Sequence, residues 1–221
     1  MQHELLTKAA HQEVNLDGLR CIYHFKIAES DTVFSMAIDS VINCTTGAIV
    51  NAANCGMLGG DELYNARKAL PILPYSDGSR CHTGDAKITI SGDLPCEYVI
   101  HAVGPNFRNH SEQEGMNLLI SAYESALRTA HEQQLSKVTF CILSAGIFRG
   151  GLPLSDVVRV GIESIVRNVY PGLIRVYLCF FSVAEQQCMH DYYHEVVRNA
   201  DMFEPAADSE PAAQSSMYVA H

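Results

Sequence analysis

Residues 138–145 read VTFCILSA, with no charge anywhere and apolar side chains at both odd and even positions. A strand built from such a run is buried on both faces, and both faces of its sheet need covering. Directly after it comes SAGIFRGG at 144–151, a glycine-rich turn. A helical pattern then runs over 153–169, with Val157, Gly161, Ile165 and Val169 along one side. A buried strand, a glycine turn and a helix make one unit of a layered α/β fold.

The rest of the chain repeats that alternation. Strands are expected over 21–29, 33–38, 48–53, 86–92, 97–104 and 173–181. Helices are expected over 61–70, 115–134 and 184–200, the second carrying Leu119, Tyr123, Ala126 and Ala130 at helical spacing. Residues 1–20 read as a polar lead-in with some helical character, 21–200 as one domain, and 201–221, rich in Ala, Ser, Pro and acid, as a disordered tail. The expected fold class is a three-layer α/β/α domain with a central mixed sheet. In such folds ligands sit beyond the carboxyl ends of the strands. The turns after 48–53 and 138–145 both point there.

Charge narrows what can bind. The formal net charge is -10 over 221 residues, a surface that repels phosphate backbones and anionic membranes, so nucleic acid is not an expected partner. No apolar run reaches membrane-spanning length, and the first residues lack the apolar core of a secretory signal. The eight cysteines are scattered without a CxxC pair and several lie inside apolar runs, as reduced core residues of an intracellular protein would, cytoplasmic or nuclear. His190 and His194 share a helix face but lack further ligands, so they read as surface histidines. No metal and no cofactor is expected. Cys55 reads as a small bystander and His101 as a structural strand histidine.

The two turns differ in chemistry. At 144–151, small residues let backbone N–H groups crowd together before a helix, which suits an anion; a plain tight connection is the alternative. The stretch AIVNAANCGMLGGDELY, 48–64, is more particular. Asn51 and Asn54 carry amides that donate and accept, as sugar hydroxyls require. Gly59 and Gly60 permit close backbone approach. Asp61 and Glu62 follow, either as acids at a helix N-terminus or as groups that orient a water or a cation.

NAAN with its glycine turn, TGDAKIT at 83–89, LPCEYVIHAVGP at 94–105 and SAGIF at 144–148 occur in one order. That order resembles the macrodomain family over roughly residues 33–182. The resemblance implies a mixed sheet between helices with ADP-ribose bound across its crest. By the same resemblance, Asp39, with Ser40 beside it, receives the adenine amine, and Phe181 lies beside the adenine. Asn54 meets the distal ribose and helps orient water. Gly59 and Gly60 cover the diphosphate, as do Ser144, Ala145, Gly146, Ile147 and Phe148, with Phe148 flanking the distal ribose. Two departures stand out: Gly47 replaces the acid that begins the family's strand pattern, and the turn is shortened to GGDELY. Asp61, seven positions after Asn54, best matches the catalytic aspartate of the hydrolytic branch, and Glu62 is an extra acid.

The function implied is removal of mono-ADP-ribose from protein side chains, by carboxylate-assisted attack of water at the anomeric carbon. Paired acids also suit a guanidinium, so an arginine linkage stands beside the carboxylate linkage. The expected partners are ADP-ribose and an ADP-ribosylated protein, and the chain is expected to be a monomer. The alternative from another class is a reader module that binds ADP-ribose without turnover.

Overall fold

The computed structural model describes residues 5–57, 70–74, 76 and 78–199. Within them the run at 138–145 becomes β7 (Lys137–Cys141), deep inside an eight-stranded sheet. The others are β1 (Leu6–Leu16), β2 (Leu19–Ile27), β3 (Val33–Ala37), β4 (Ala48–Ala52), β5 (Ala86–Ile90), β6 (Tyr98–Ala102) and β8 (Arg175–Cys179). Their order across the sheet is β1-β2-β3-β8-β7-β4-β6-β5. The five strands from β3 to β6 in that order are parallel, and antiparallel pairings add β1 and β2 at one end and β5 at the other. The sheet is therefore mixed, as expected. The carboxyl ends of β3, β8, β7, β4 and β6 line one edge.

Alternation along each strand builds two cores. Phe34, Met36, Val50, Ile100, Val138, Phe140, Val176 and Leu178 face α1 (Glu112–Glu132), α2 (Leu154–Arg167) and α3 (Val183–Asn199). Ala37, Ile49, Val99, Tyr177 and Cys179 face the opposite way, onto Leu19, Cys21, Cys44 and Cys96. The described helices all belong to the first layer. The helix expected over 61–70 falls, up to residue 69, outside the described residues, as does the tail over 201–221. Among the described residues, no helix is long and apolar enough to cross a membrane.

Local chemistry starts and stops these helices. Ser111 accepts a hydrogen bond from Glu114 N at the start of α1, and Glu112 and Glu114 suit the positive end of its dipole. Leu119, Tyr123, Ala126 and Ala130, the stripe read from spacing, are wholly buried. In α2, Gly161 lets the Tyr123 ring come close: a Cβ there would lie 2.6 Å from the phenol oxygen.

One expectation is overturned. Residues 6–16 of the expected lead-in form β1, which pairs antiparallel with β2. Asp17 and Gly18, both at positive φ, make the two-residue hairpin turn. β1 is polar because it is an outer strand with much of its length exposed, and two register shifts interrupt it. Such irregular, polar edges discourage pairing with other chains. All eight cysteines are free thiols, five of them buried. Burial pushes Cys21 and Cys81 up to about 12 and Cys141 to about 11, so all three stay protonated.

Candidate functional site

The parallel strands release their loops along a single edge, so the loops after β4, β6 and β7 meet. After β4, Ala53 N donates to Ala102 O at 2.9 Å, and Met57 N closes a turn onto Asn54 O at 3.0 Å. Met57 is buried at positive φ, and Asn54 is left exposed at the crest. Cys55 O accepts from Arg80 N and Cys81 N at 2.8 and 3.2 Å, tying the turn to the irregular segment before β5.

After β7 the chain is fixed from below. Leu143 N donates to the Tyr123 hydroxyl at 2.9 Å, both groups being wholly buried. Burial pushes the Tyr123 phenol far above its usual range, so it stays neutral. Ser144 then takes a left-handed backbone conformation (φ 55°) and its hydroxyl donates to Pro105 O at 2.9 Å. Gly104 makes room for that hydroxyl, since a Cβ there would come within 2.4 Å of Ser144 Oγ. A 3-10 turn, Ile147–Arg149, follows, and Phe107 N donates to Phe148 O at 2.8 Å. Arg149 folds back on its own loop, donating to Ala145 O at 3.2 Å and Leu152 O at 2.6 Å.

Between the two loops is a cavity of about 260 Å³, lined by Ala52, Ala53, Asn54, Gly104, Ile142 and residues 144–148. None of these side chains is charged. Arg149 N is taken up by Gly146 O, but the N–H groups of 145–148 donate to no carbonyl or side chain among the described residues. Four donors without a partner among the described residues, around a small concavity, suit an anion spread over several oxygens.

Two neighbouring strand ends carry the other expected residues. Asp39 follows β3. Its Oδ1 accepts from Ser40 N at 2.8 Å and Asn43 Nδ2 at 2.6 Å, and its Oδ2 from Arg20 N at 3.2 Å. The carboxylate thus braces the 3-10 turn Val41–Asn43 through Ser40 N and the Asn43 side chain, without capping a backbone N–H of the turn itself. Phe181 follows β8 with 74% of its surface exposed. Its backbone is held, because Glu185 accepts from Phe181 N and Ser182 N at 2.8 and 2.9 Å while Ser182 Oγ accepts from Glu185 N, a capping box at the start of α3. Phe180 N donates to Ala37 O, which ties the ends of β8 and β3 together.

Of the expected site residues, Asn54, Ser144, Ala145, Gly146, Ile147 and Phe148 line one cavity. Asp39, Ser40 and Phe181 lie at the β3 and β8 ends, outside its lining. Asn51 is turned into the sheet, where its Nδ2 lies 3.4 Å from His101 Nδ1. His101 Nε2 lies 2.9 Å from Thr89 Oγ1, whose own proton goes to Ile90 O. That pattern makes Nε2 the donor to Thr89, with Nδ1 facing the Asn51 amide. Gly59, Gly60, Asp61 and Glu62 lie outside the described residues. Sequence reasoning missed Tyr123, Gly104 and Arg80, whose roles depend on contacts far apart in the chain. His190, whose Nδ1 lies 2.7 Å from the Tyr23 hydroxyl, joins α3 to β2.

Known proteins match this sequence and fold. A family model described as Macro domain matches residues 50–161. The ADP-ribose glycohydrolase MACROD2 of Mus musculus is 33% identical over 181 residues, 76% of this chain but 38% of that protein. A macro domain-containing protein of Chlorobaculum tepidum is 36% identical over 161 residues, 69% of this chain and 91% of that one. Among solved structures, an Oceanobacillus iheyensis macrodomain with ADP superimposes with a TM-score of 0.63 at 21% identity, covering 88% of this chain and all of that one. A Trypanosoma brucei macrodomain in complex with ADP gives 0.56 at 25% identity, over 74% and 68% of the two chains.

Proposed function

This chain belongs to the Macro domain family, and from that premise we propose that its crest binds ADP-ribose and releases mono-ADP-ribose from modified protein side chains. The observation that carries the reading is the uncharged cavity with Asn54 on one wall and, on the other, four N–H groups that find no partner among the described residues. A diphosphate fits the amides without any lysine or arginine side chain in the lining. The distal ribose then reaches Asn54, whose amide matches hydroxyls as donor and acceptor. At the other end, the exposed Phe181 offers a face to adenine and Asp39 an acceptor to its amine.

Cleavage at the anomeric carbon passes through an oxocarbenium-like state. Asp61 or Glu62 orients the attacking water and stabilises the developing positive charge, while Asn54 holds the ribose. A guanidinium beside two acids makes arginine-linked ADP-ribose one substrate class, with carboxylate-linked ADP-ribose as its rival. The chain acts as a monomer inside the cell, in cytoplasm or nucleus, on an ADP-ribosylated protein.

Calorimetry with ADP-ribose tests the binding claim, and absence of binding would end the reading. Single-turnover release from defined arginine- and glutamate-linked substrates then tests the chemistry. Loss of release in the Asp61→Ala/Glu62→Ala double variant is expected. Tight binding with no release from either substrate would make the chain a reader instead.

A further inference from the structure

We propose that Arg80 is a positioning residue for Asn54, and that its buried charge makes the crest select an anionic ligand; the proposal rests on the ADP-ribose reading above. Arg80 is only 8% exposed. Among the described residues it forms no ion pair with a carboxylate. Its Nη1 donates to Gly56 O at 3.1 Å and Gly78 O at 3.3 Å, and its buried Nε meets no acceptor. Its backbone N donates to Cys55 O at 2.8 Å. One residue therefore grips two successive carbonyls, of Cys55 and Gly56, immediately after Asn54. Because Met57 N also closes onto Asn54 O, the turn that presents the Asn54 amide is held from both ends.

The charge is as informative as the grip. A guanidinium taken out of water and given only carbonyl partners is unfavourable for folding. Backbone N–H donors or a neutral side chain would hold the same carbonyls at lower cost. What the arginine adds is a fixed positive charge behind the turn that bears Asn54, screened by protein rather than by salt. The cavity lining itself has none. In a chain of net charge -10, this cation favours a diphosphate over an uncharged nucleoside at the same crest.

The test compares wild type, Arg80→Met and Arg80→Lys for binding of ADP-ribose and of adenosine, at low and high salt. Arg80→Met is expected to weaken ADP-ribose about tenfold or more while adenosine changes less than about twofold. Arg80→Lys restores most of the ADP-ribose affinity, because it returns the charge. Equal losses for both ligands, or no rescue by lysine, would reduce Arg80 to a structural brace and overturn the proposal. Should Arg80→Met fail to fold, the lysine variant decides alone: ADP-ribose and adenosine weakened in parallel overturns it, and near wild-type binding of both supports it. Wild type that binds no ADP-ribose would sink the functional reading itself, whereas wild-type binding with an indifferent Arg80→Met sinks this inference alone.

Discussion

Replacing Tyr123 by Phe tests whether the anion loop is held from inside the core. The substitution keeps the ring and removes one oxygen, the acceptor for Leu143 N at 2.9 Å. Tyr123 and Leu143 are both wholly buried, so the orphaned N–H finds no water. The vacated space is about the size of one oxygen, too small to admit a water molecule. Leaving a buried donor unmet costs about 1–3 kcal/mol. For a domain of this size each kcal/mol lowers Tm by about 2–4 °C, so a drop of about 2–12 °C is expected in a thermal melt. The loss extends to function, because Leu143 precedes Ser144 and the four donor amides. ADP-ribose affinity should therefore fall along with stability. A companion variant sharpens the logic. Gly161→Ala at an ordinary helix position would gain about 1 kcal/mol from helix propensity. Here its Cβ would lie 2.6 Å from the phenol oxygen and 2.9 Å from the ring, so Tm should fall instead. Tyr123→Phe with an unchanged melt and unchanged ADP-ribose affinity would refute the reasoning, since the loop would then be held by something else.

Three further outcomes follow from single contacts. Gly104→Ala puts a Cβ 2.4 Å from Ser144 Oγ, so it should displace Ser144 and lower ADP-ribose affinity in calorimetry; unaltered binding would mean the hydroxyl can move freely. Phe181→Ala should leave stability within about 0.5 kcal/mol, because the side chain is 74% exposed. It should nevertheless weaken ADP-ribose by about fivefold to a hundredfold if adenine stacks there. Acid should destabilise the fold in two stages, read as urea midpoints across pH. His24 is held below the usual histidine value chiefly by burial, with nearby Arg175 adding to the effect, so stability is present above about pH 6.5 and is lost as pH falls toward its lower folded value. Burial works to raise Asp17, but hydrogen bonds from Tyr177 and Lys137 outweigh it and leave the carboxyl below its usual value. Its contribution is present above about pH 3.9 and is lost as pH falls through the depressed folded value. His24→Gln should remove the upper stage and keep the lower one; a variant that keeps both would show that another group titrates.

The sheet was legible where strands are buried on both faces, because burial removes polar residues from both parities, as at 138–145. β1 was not, because an exposed outer strand has no such pattern. Its one local signal was Asp17-Gly18, the pair that a two-residue hairpin favours, set between Leu16 and Leu19. Gly47 was legible as a departure but not as a cause. It sits at φ +63°, and a Cβ would lie 2.2 Å from Lys137 O, so an acid cannot stand there without moving β7. Ser144 to Phe148 could be picked out because glycine turns after buried strands point at the crevice. Tyr123, Gly161 and Leu143 could not, because their contact exists only once α1, α2 and β7 are stacked.

On the proposed reading, those supporting contacts explain how a chain of net charge -10 could hold an anion at this crest. Long-range repulsion falls off within about 8–10 Å at physiological salt, whereas donors at the binding surface act at contact. The decisive charges are therefore local and partial. The amides of 145–148 supply them, and their direction is set by Leu143 N on Tyr123 and by Ser144 on Pro105 O. Two arginines that bond to these turns are both spent on carbonyls: Arg149 on Ala145 and Leu152, Arg80 on Gly56 and Gly78. Each braces a loop while contributing a charge from behind it. A ligand at this crest thus meets backbone first and side-chain charge second. On the proposed reading, such a site would favour a small diphosphate that fits between the loops, and would give a long polyanion little to hold beyond the cavity.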